Sequence, residues 1–208
     1  MALKAPVSQG PRAKDKILGA AQNLFYEQGI RAVGVDEIVR TAGVTKPSLY
    51  RLFESKDGLI IRYLADYQKI FWNWIERAEI LYPQDDKAQL IAYFDGLAER
   101  APRPDYRGCG VTNAVVEFPD PRHPVREVAS SLKKEVETWL MAKAAAIGAT
   151  DPSLLAAGLM LLMEGTYTTS QLYETGGPPA RVGELARQLI ALNCPQSQSN
   201  HPSLQERS

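Results

Sequence analysis

From Val35 to Leu59 the chain reads VDEIVRTAGVTKPSLYRLFESKDGL, two short amphipathic segments separated by a glycine. Val35, Ile38 and Val39 recur at helical spacing and Ala42 follows one turn later, so this segment can bury one face while Asp36, Glu37 and Arg40 stay in water. Gly43 supplies the backbone freedom to leave that helix. Thr45 is a candidate N-cap, its hydroxyl accepting from an amide of the next turn. Pro47 suits a first helical turn, whose N–H groups have no internal partner. Leu49, Leu52 and Phe53 then form the apolar stripe of a second helix, predicted to run from near Thr45 to near Phe53.

The opposite flank of that second helix carries Lys46, Ser48, Tyr50 and Arg51, two cations, a hydroxyl and a phenol within little more than a turn. Eight helical residues span about 12 Å, close to the width of the major groove of B-DNA. The geometry is that of a helix-turn-helix, with its second helix as the reading element.

The run GVTKPSLYRLFESKDGL resembles the DNA-binding signature of the TetR family of one-component transcriptional regulators. There AGV(S/T) makes the turn, LYxxF carries the recognition helix and SK(D/E)xL opens the next helix. The departures are Leu52, where the family commonly has a phosphate-reaching His, and Val33 and Gly34, where Thr or Ser usually caps the first helix of the pair. The resemblance implies an all-α protein with an N-terminal three-helix helix-turn-helix domain and a C-terminal helical domain for effector binding and dimerisation. We assign residues 12–58 to the first, 59–194 to the second, and 1–11 and 195–208 to flexible tails. Thr45, Tyr50 and Lys56 are assigned to DNA phosphates. Lys46, Pro47, Ser48 and Arg51 are assigned to the groove, where Arg51 can pair with guanine bidentately and Pro47 can touch a thymine methyl.

Charge agrees with a selective binder. Across 208 residues Lys plus Arg and Asp plus Glu both number 24, which argues against coating nucleic acid through bulk charge. The first 58 residues hold nine cations against six anions, so a mildly basic head precedes a mildly acidic body. Cys109 and Cys194 are the only cysteines. The N-terminus has no apolar core of a signal peptide, and the apolar run Leu154–Met163 is far short of the roughly 20 residues that cross a bilayer. These features predict a soluble cytoplasmic protein.

Outward from the central stretch, Ile17, Ala21, Leu24 and Phe25 predict a helix from Arg12 that Gly29 ends. Ser55 and Asp57 open a long helix to about Leu81, a rod of roughly 37 Å joining the head to the body. Asp85–Arg100, Pro124–Ile147, Asp151 to about Glu174 and Ala180–Asn193 read as further helices, with a short one carrying Val111, Val115 and Phe118. The string G-C-x-x-x-N-x-x-x-E from Gly108 is similar to a segment in a subset of TetR-family effector domains. The helix after Asp151 has almost no wet face, so it must be covered on two sides. In the family the last two helices of each chain form a four-helix dimer interface, which implies a homodimer here.

No set of histidines, Gly-rich loop or nucleophile elbow is present, so no catalytic residue, metal or cofactor is assigned. Cys109 reads first as a structural cysteine, with reactive or redox-sensing roles as minor alternatives. Tyr67, Phe71, Trp74, Phe94, Trp139, Met163 and Tyr167 exceed what a small bundle needs, and the family implies a ligand cavity among the body helices. Asn113 and Glu117, one turn apart, are its candidate polar anchors. A small, mainly apolar effector, a double-stranded operator and a second copy of the chain are the expected partners. The rival readings are a helical ligand-binding protein or enzyme with an unused helix-turn-helix, and a nonspecific DNA-associating protein.

Overall fold

The structure, a computed structural model, describes residues 12–173 and 175–194. The two assigned tails and Glu174 lie outside the described residues. Among the described residues there are nine α-helices, one 3₁₀ turn and no strand. Helices α1 (Ala13–Gln28), α2 (Val35–Ala42) and α3 (Lys46–Phe53) pack on one another and on the first turns of α4 (Lys56–Leu81). The body consists of α5 (Asp86–Arg100), α6 (Gly110–Glu117) and α7 (Pro124–Ala146), which pack on the rest of α4, and of α8 (Pro152–Thr169) and α9 (Val182–Asn193), which pack on each other and on α7 and α5.

Local chemistry sets the boundaries. Gly43 sits in the left-handed region at φ 63° and ψ 40°, and the N–H of Val44 returns to the carbonyl of Val39 at 3.0 Å, closing α2 as a glycine does best. The side chain of Thr45 does not cap α3; its hydroxyl pairs with that of Ser48 at 3.1 Å instead. Ser55 caps α4 by accepting the N–H of Gly58 at 3.0 Å, and any side chain at Gly58 would strike the Phe53 carbonyl. Asp85, His123 and Asp151 accept first-turn amides of α5, α7 and α8, and Pro124 and Pro152 start the latter two helices.

Two helix limits differ from the sequence reading. Helix α8 stops at Thr169 rather than near Glu174, because Thr166, Thr168 and Thr169 bond back to carbonyls four residues earlier and Ser170 donates to Tyr167. Such local bonds compete with helix continuation. The last helix begins at Val182, since Pro178 and Pro179 cannot donate and support only a 3₁₀ turn to Arg181.

The core forms two clusters strung along α4. One joins Ile17, Phe25, Ile38, Leu49 and Phe53 of the head to Leu59, Ile60, Tyr63 and Leu64 of α4, and continues into Val111 and Ala114 of α6 and Val125 and Ala129 of α7. The other gathers α5, α8 and α9 against Ile75 and the second half of α7. The head therefore shares buried apolar surface with two body helices besides α4, so displacement of α6 or α7 is felt in the head.

Candidate nucleic-acid interface and effector cavity

Leu49 is fully buried and Phe53 nearly so, and this pins α3 from behind. Lys46, Pro47, Tyr50 and Arg51 stand exposed on its other side, Ser48 is half-buried, and Thr45 is exposed just before the helix. The Lys46 ammonium meets the Asp36 carboxylate at 2.7 Å, which raises its pKa, but both groups are open to solvent. An exposed pair of this kind is worth little and is easily exchanged for an acceptor on DNA. Arg51 has no ion-pair partner among the described residues. Leu52, 37% exposed, lies on this surface rather than in the core stripe predicted for it.

Lys56 is turned differently from its assigned phosphate role. Its ammonium donates to the Ile30 carbonyl at 2.8 Å and lies 5.9 Å from the centre of the Phe25 ring. Burial there lowers its pKa. The start of α4 thereby grips the loop between α1 and α2.

A cavity of about 350 Å³ lies on the far side of α1. Tyr67, Phe71 and Trp74 of α4 and Met163 and Tyr167 of α8 line it, as do Tyr93 and Arg100 of α5 and Lys133 of α7. The loop after α5 contributes Tyr106, Gly108 and Cys109. The head contributes too, through Gln22, Asn23, Tyr26 and Glu27 of α1. The sequence reading placed no part of α1 there.

Four of the nine predicted ligand residues sit elsewhere. Phe94 is fully buried in the core. Trp139 is a layer behind the wall, edge-on to Phe71 at 5.8 Å. Asn113 donates to the Arg107 carbonyl at 3.1 Å, bracing the loop that precedes α6. Glu117 accepts the N–H groups of Ile30 at 3.1 Å and Arg31 at 2.7 Å, so its carboxylate belongs to the head.

Hydrogen bonds organise the wall. Tyr26 and Tyr67 stack at 5.9 Å and both donate to the Gly108 carbonyl, at 3.3 and 3.0 Å. The Tyr26 hydroxyl accepts the Arg107 N–H at 2.7 Å, while the Arg107 guanidinium donates to the carbonyls of Tyr26 and Glu27 at the end of α1. Tyr93 and Tyr167 share a hydroxyl contact of 2.8 Å, and Tyr93 reaches the Met163 sulfur at 3.2 Å. Burial pushes the phenols of Tyr26, Tyr67, Tyr93, Tyr106 and Tyr167 up, so they persist as neutral donors. Burial opposes the charge of Lys133, but its neighbours Cys109 at 3.4 Å and Glu164 at 2.6 Å outweigh that and hold its pKa above the ordinary value.

Comparison with known proteins places this arrangement. Residues 17–63 match the model of bacterial regulatory proteins of the tetR family. The crystal structure of SCO4454, a TetR-family transcriptional regulator from Streptomyces coelicolor, superposes with a TM-score of 0.77 at 30% identity, covering 88% of this chain and 94% of that one. The HTH-type transcriptional regulator YjdC of Escherichia coli (strain K12) is 23% identical over 155 residues, 73% of this chain and 80% of YjdC. The HTH-type transcriptional repressor BdcR of the same organism is 35% identical over 96 residues, 46% of this chain and 47% of BdcR.

Proposed function

The chain belongs to the TetR family of transcriptional regulators, and from that premise we propose that it is a homodimeric repressor released from a near-palindromic operator by a small, mainly apolar molecule. The observation that carries this is the shared wall of the cavity: α1 of the head and five elements of the body enclose the same space. A ligand there touches the DNA-binding domain directly. It bears on the Tyr26–Gly108–Tyr67 contact and, through α6, on the Glu117 grip of the loop before α2.

In the DNA-bound state each α3 enters a major groove, with Thr45 and Tyr50 at phosphates and Lys46, Pro47, Ser48 and Arg51 facing base edges. Lys56 holds the head together rather than touching DNA. Ligand binding favours a position of α1, α4 and α6 that changes the separation of the two heads. Operator affinity then falls by the ligand's preference for that state and by no more. Repression is the direction we propose; of the similar proteins, BdcR is named a repressor and FasR of Mycolicibacterium smegmatis, 45% identical over 81 residues, an activator. A reader of chromosomal DNA acts in the cytoplasm, and no described helix is long and apolar enough to cross a membrane.

The test is a mobility-shift titration with the DNA upstream of the protein's own coding region and a scrambled fragment of equal length. Preference for the native fragment by tenfold or more, about 1.4 kcal/mol, supports the reading. Equal affinity for both removes it.

A further inference from the structure

We propose that the effector is an aromatic acid, its ring held among Phe71, Trp74 and Tyr93 and its carboxylate received by Arg100. The inference rests on the cavity being the effector site and names the chemistry that site selects.

Arg100 ends α5 and lines the cavity. Its guanidinium lies 4.7 Å from the centre of the Trp74 ring and 5.2 Å from that of Tyr93. No carboxylate among the described residues comes within ion-pair distance of it, whereas the neighbouring cavity cation, Lys133, is paired with Glu164 at 2.6 Å. The Nη1 atom of Arg100 is closed off from solvent beside Gly96 and has no acceptor among the described residues, so the rest of the fork, Nε and Nη2, is the edge that an anion in the cavity would meet. A cation held this way is costly until an anion arrives, because ring faces offset only part of the lost hydration.

The fold also makes room for it. Gly96, one turn earlier on α5, would place a Cβ 3.2 Å from Nη1 if it carried one. Glycine in a helix interior is unfavourable, and here it leaves the guanidinium space. Tyr106 also lines the cavity, and its hydroxyl has no hydrogen-bond partner among the described residues, so it is free to donate to the same anion. The other charged lining groups, Glu27, Arg103 and Asp105, are exposed, which places them where the cavity meets solvent. Aromatic faces, a planar fork without a partner and an unused phenol together fit a planar ring that bears a carboxylate.

The experiment is competition against the neutral dye N-phenylnaphthylamine, followed by its fluorescence, with naphthoate and its uncharged isostere naphthamide as competitors. Naphthoate is expected to displace the dye at a concentration about tenfold or more below that of naphthamide. In Arg100→Met the acid and the amide should compete equally, whatever the dye's own affinity for that variant, and Arg100→Lys should retain part of the preference. If the amide competes as well as the acid, or Arg100→Met keeps the preference, the anion site is overturned while the apolar cavity stands. If folded protein binds neither the dye nor either naphthalene, this proposal falls together with the reading on which it rests.

Discussion

The Glu117 carboxylate, at the end of α6, accepts the backbone N–H of Arg31 at 2.7 Å across 86 residues of chain. A second bond from Ile30 and the return of the Arg31 guanidinium to the Glu117 carbonyl at 3.3 Å complete a clamp on the loop that leads into the helix-turn-helix. The other end of α6 begins beside Cys109, in the cavity wall. One two-turn helix thus spans from the cavity wall to the head. Glu117→Ala leaves two amides without a charged acceptor and is expected to cost roughly 1–2 kcal/mol in denaturant unfolding. Ligand should also lose much of its effect on operator binding. A variant that responds to ligand as strongly as the native protein would show that the clamp does not carry the signal.

Gly108 is a second sensitive point. Its φ is +72°, and an added Cβ would lie 2.5 Å from the Tyr167 carbonyl oxygen. Its own carbonyl receives both Tyr26 and Tyr67. Gly108→Ala therefore strains the backbone and separates α8 from the loop, with an expected loss of about 2 kcal/mol or more. A melting temperature unchanged from the native value would contradict the placement of this loop.

On α3 the prediction concerns selectivity. Arg51→Ala should weaken operator binding by about 1–3 kcal/mol and relax preference at one base pair. Tyr50→Phe should weaken native and scrambled DNA alike. Lys46→Ala removes a cation from the groove, so operator binding should weaken more than binding of scrambled DNA, and its salt dependence should flatten. Its present partner, Asp36, is too exposed to hold it back. Fluorescence anisotropy at several salt concentrations separates the three outcomes. Loss of scrambled-DNA binding equal to loss of operator binding in Arg51→Ala would deny it a base-reading role.

The head was legible in the sequence because its determinants are local. Gly43, Pro47, Ser55 and the apolar spacings each act within a turn or two. The cavity was legible only in part. Helical spacing put Asn113 and Glu117 one turn apart, but whether that side met a ligand or a loop depended on Ile30 and Arg31, far away in the chain. Aromatic content could not separate Trp74, in the wall, from Phe94, in the core, since both satisfy the same periodicity. Tyr26 and Arg100 were missed because nothing nearby marks them; their place follows from how α1 and α5 pack around α4. Threonine back-bonding ended α8 early, a local effect that apolar periodicity does not register.

Stability should fall steeply above pH 10. The phenols of Tyr26, Tyr63, Tyr67, Tyr93, Tyr106 and Tyr167 all sit above their ordinary 10.0 because of burial. Below that pH both folded and unfolded chains keep these protons. Above it the unfolded chain releases them while the folded chain holds them, so stability is lost as pH rises, by up to about 1.4 kcal/mol per pH unit for each phenol. Lys56 runs the other way. Its folded value lies below 10.5, so in the window beneath 10.5 the folded chain has already shed a proton and stability rises slightly. One partly buried amine does not offset six phenols. Phenolate absorbance followed with circular dichroism should show these six ionising together with loss of helix. Ionisation of all six before any helix is lost would refute their burial.

The last expectation concerns assembly. Leu154, Ala157, Leu161, Gly165 and Thr168 of α8 lie along one exposed line, and Leu185, Gln188 and Leu192 do the same on α9. Leu161 is 73% and Leu192 80% exposed in the single chain, a large apolar surface for one protomer to leave in water. A second copy related by a dyad would cover both lines, with the small residues letting the helices approach. Because such an interface is isologous, Leu161→Lys introduces two like charges near its axis and should split the dimer. Operator affinity should then fall by about a hundredfold or more, since two linked heads no longer bind as one. Val116→Lys, at an equally exposed position on α6, serves as the control and should leave assembly unchanged. Sedimentation equilibrium reads the mass directly, and a Leu161→Lys protein that still runs as a dimer at micromolar concentration would move the interface away from α8 and α9.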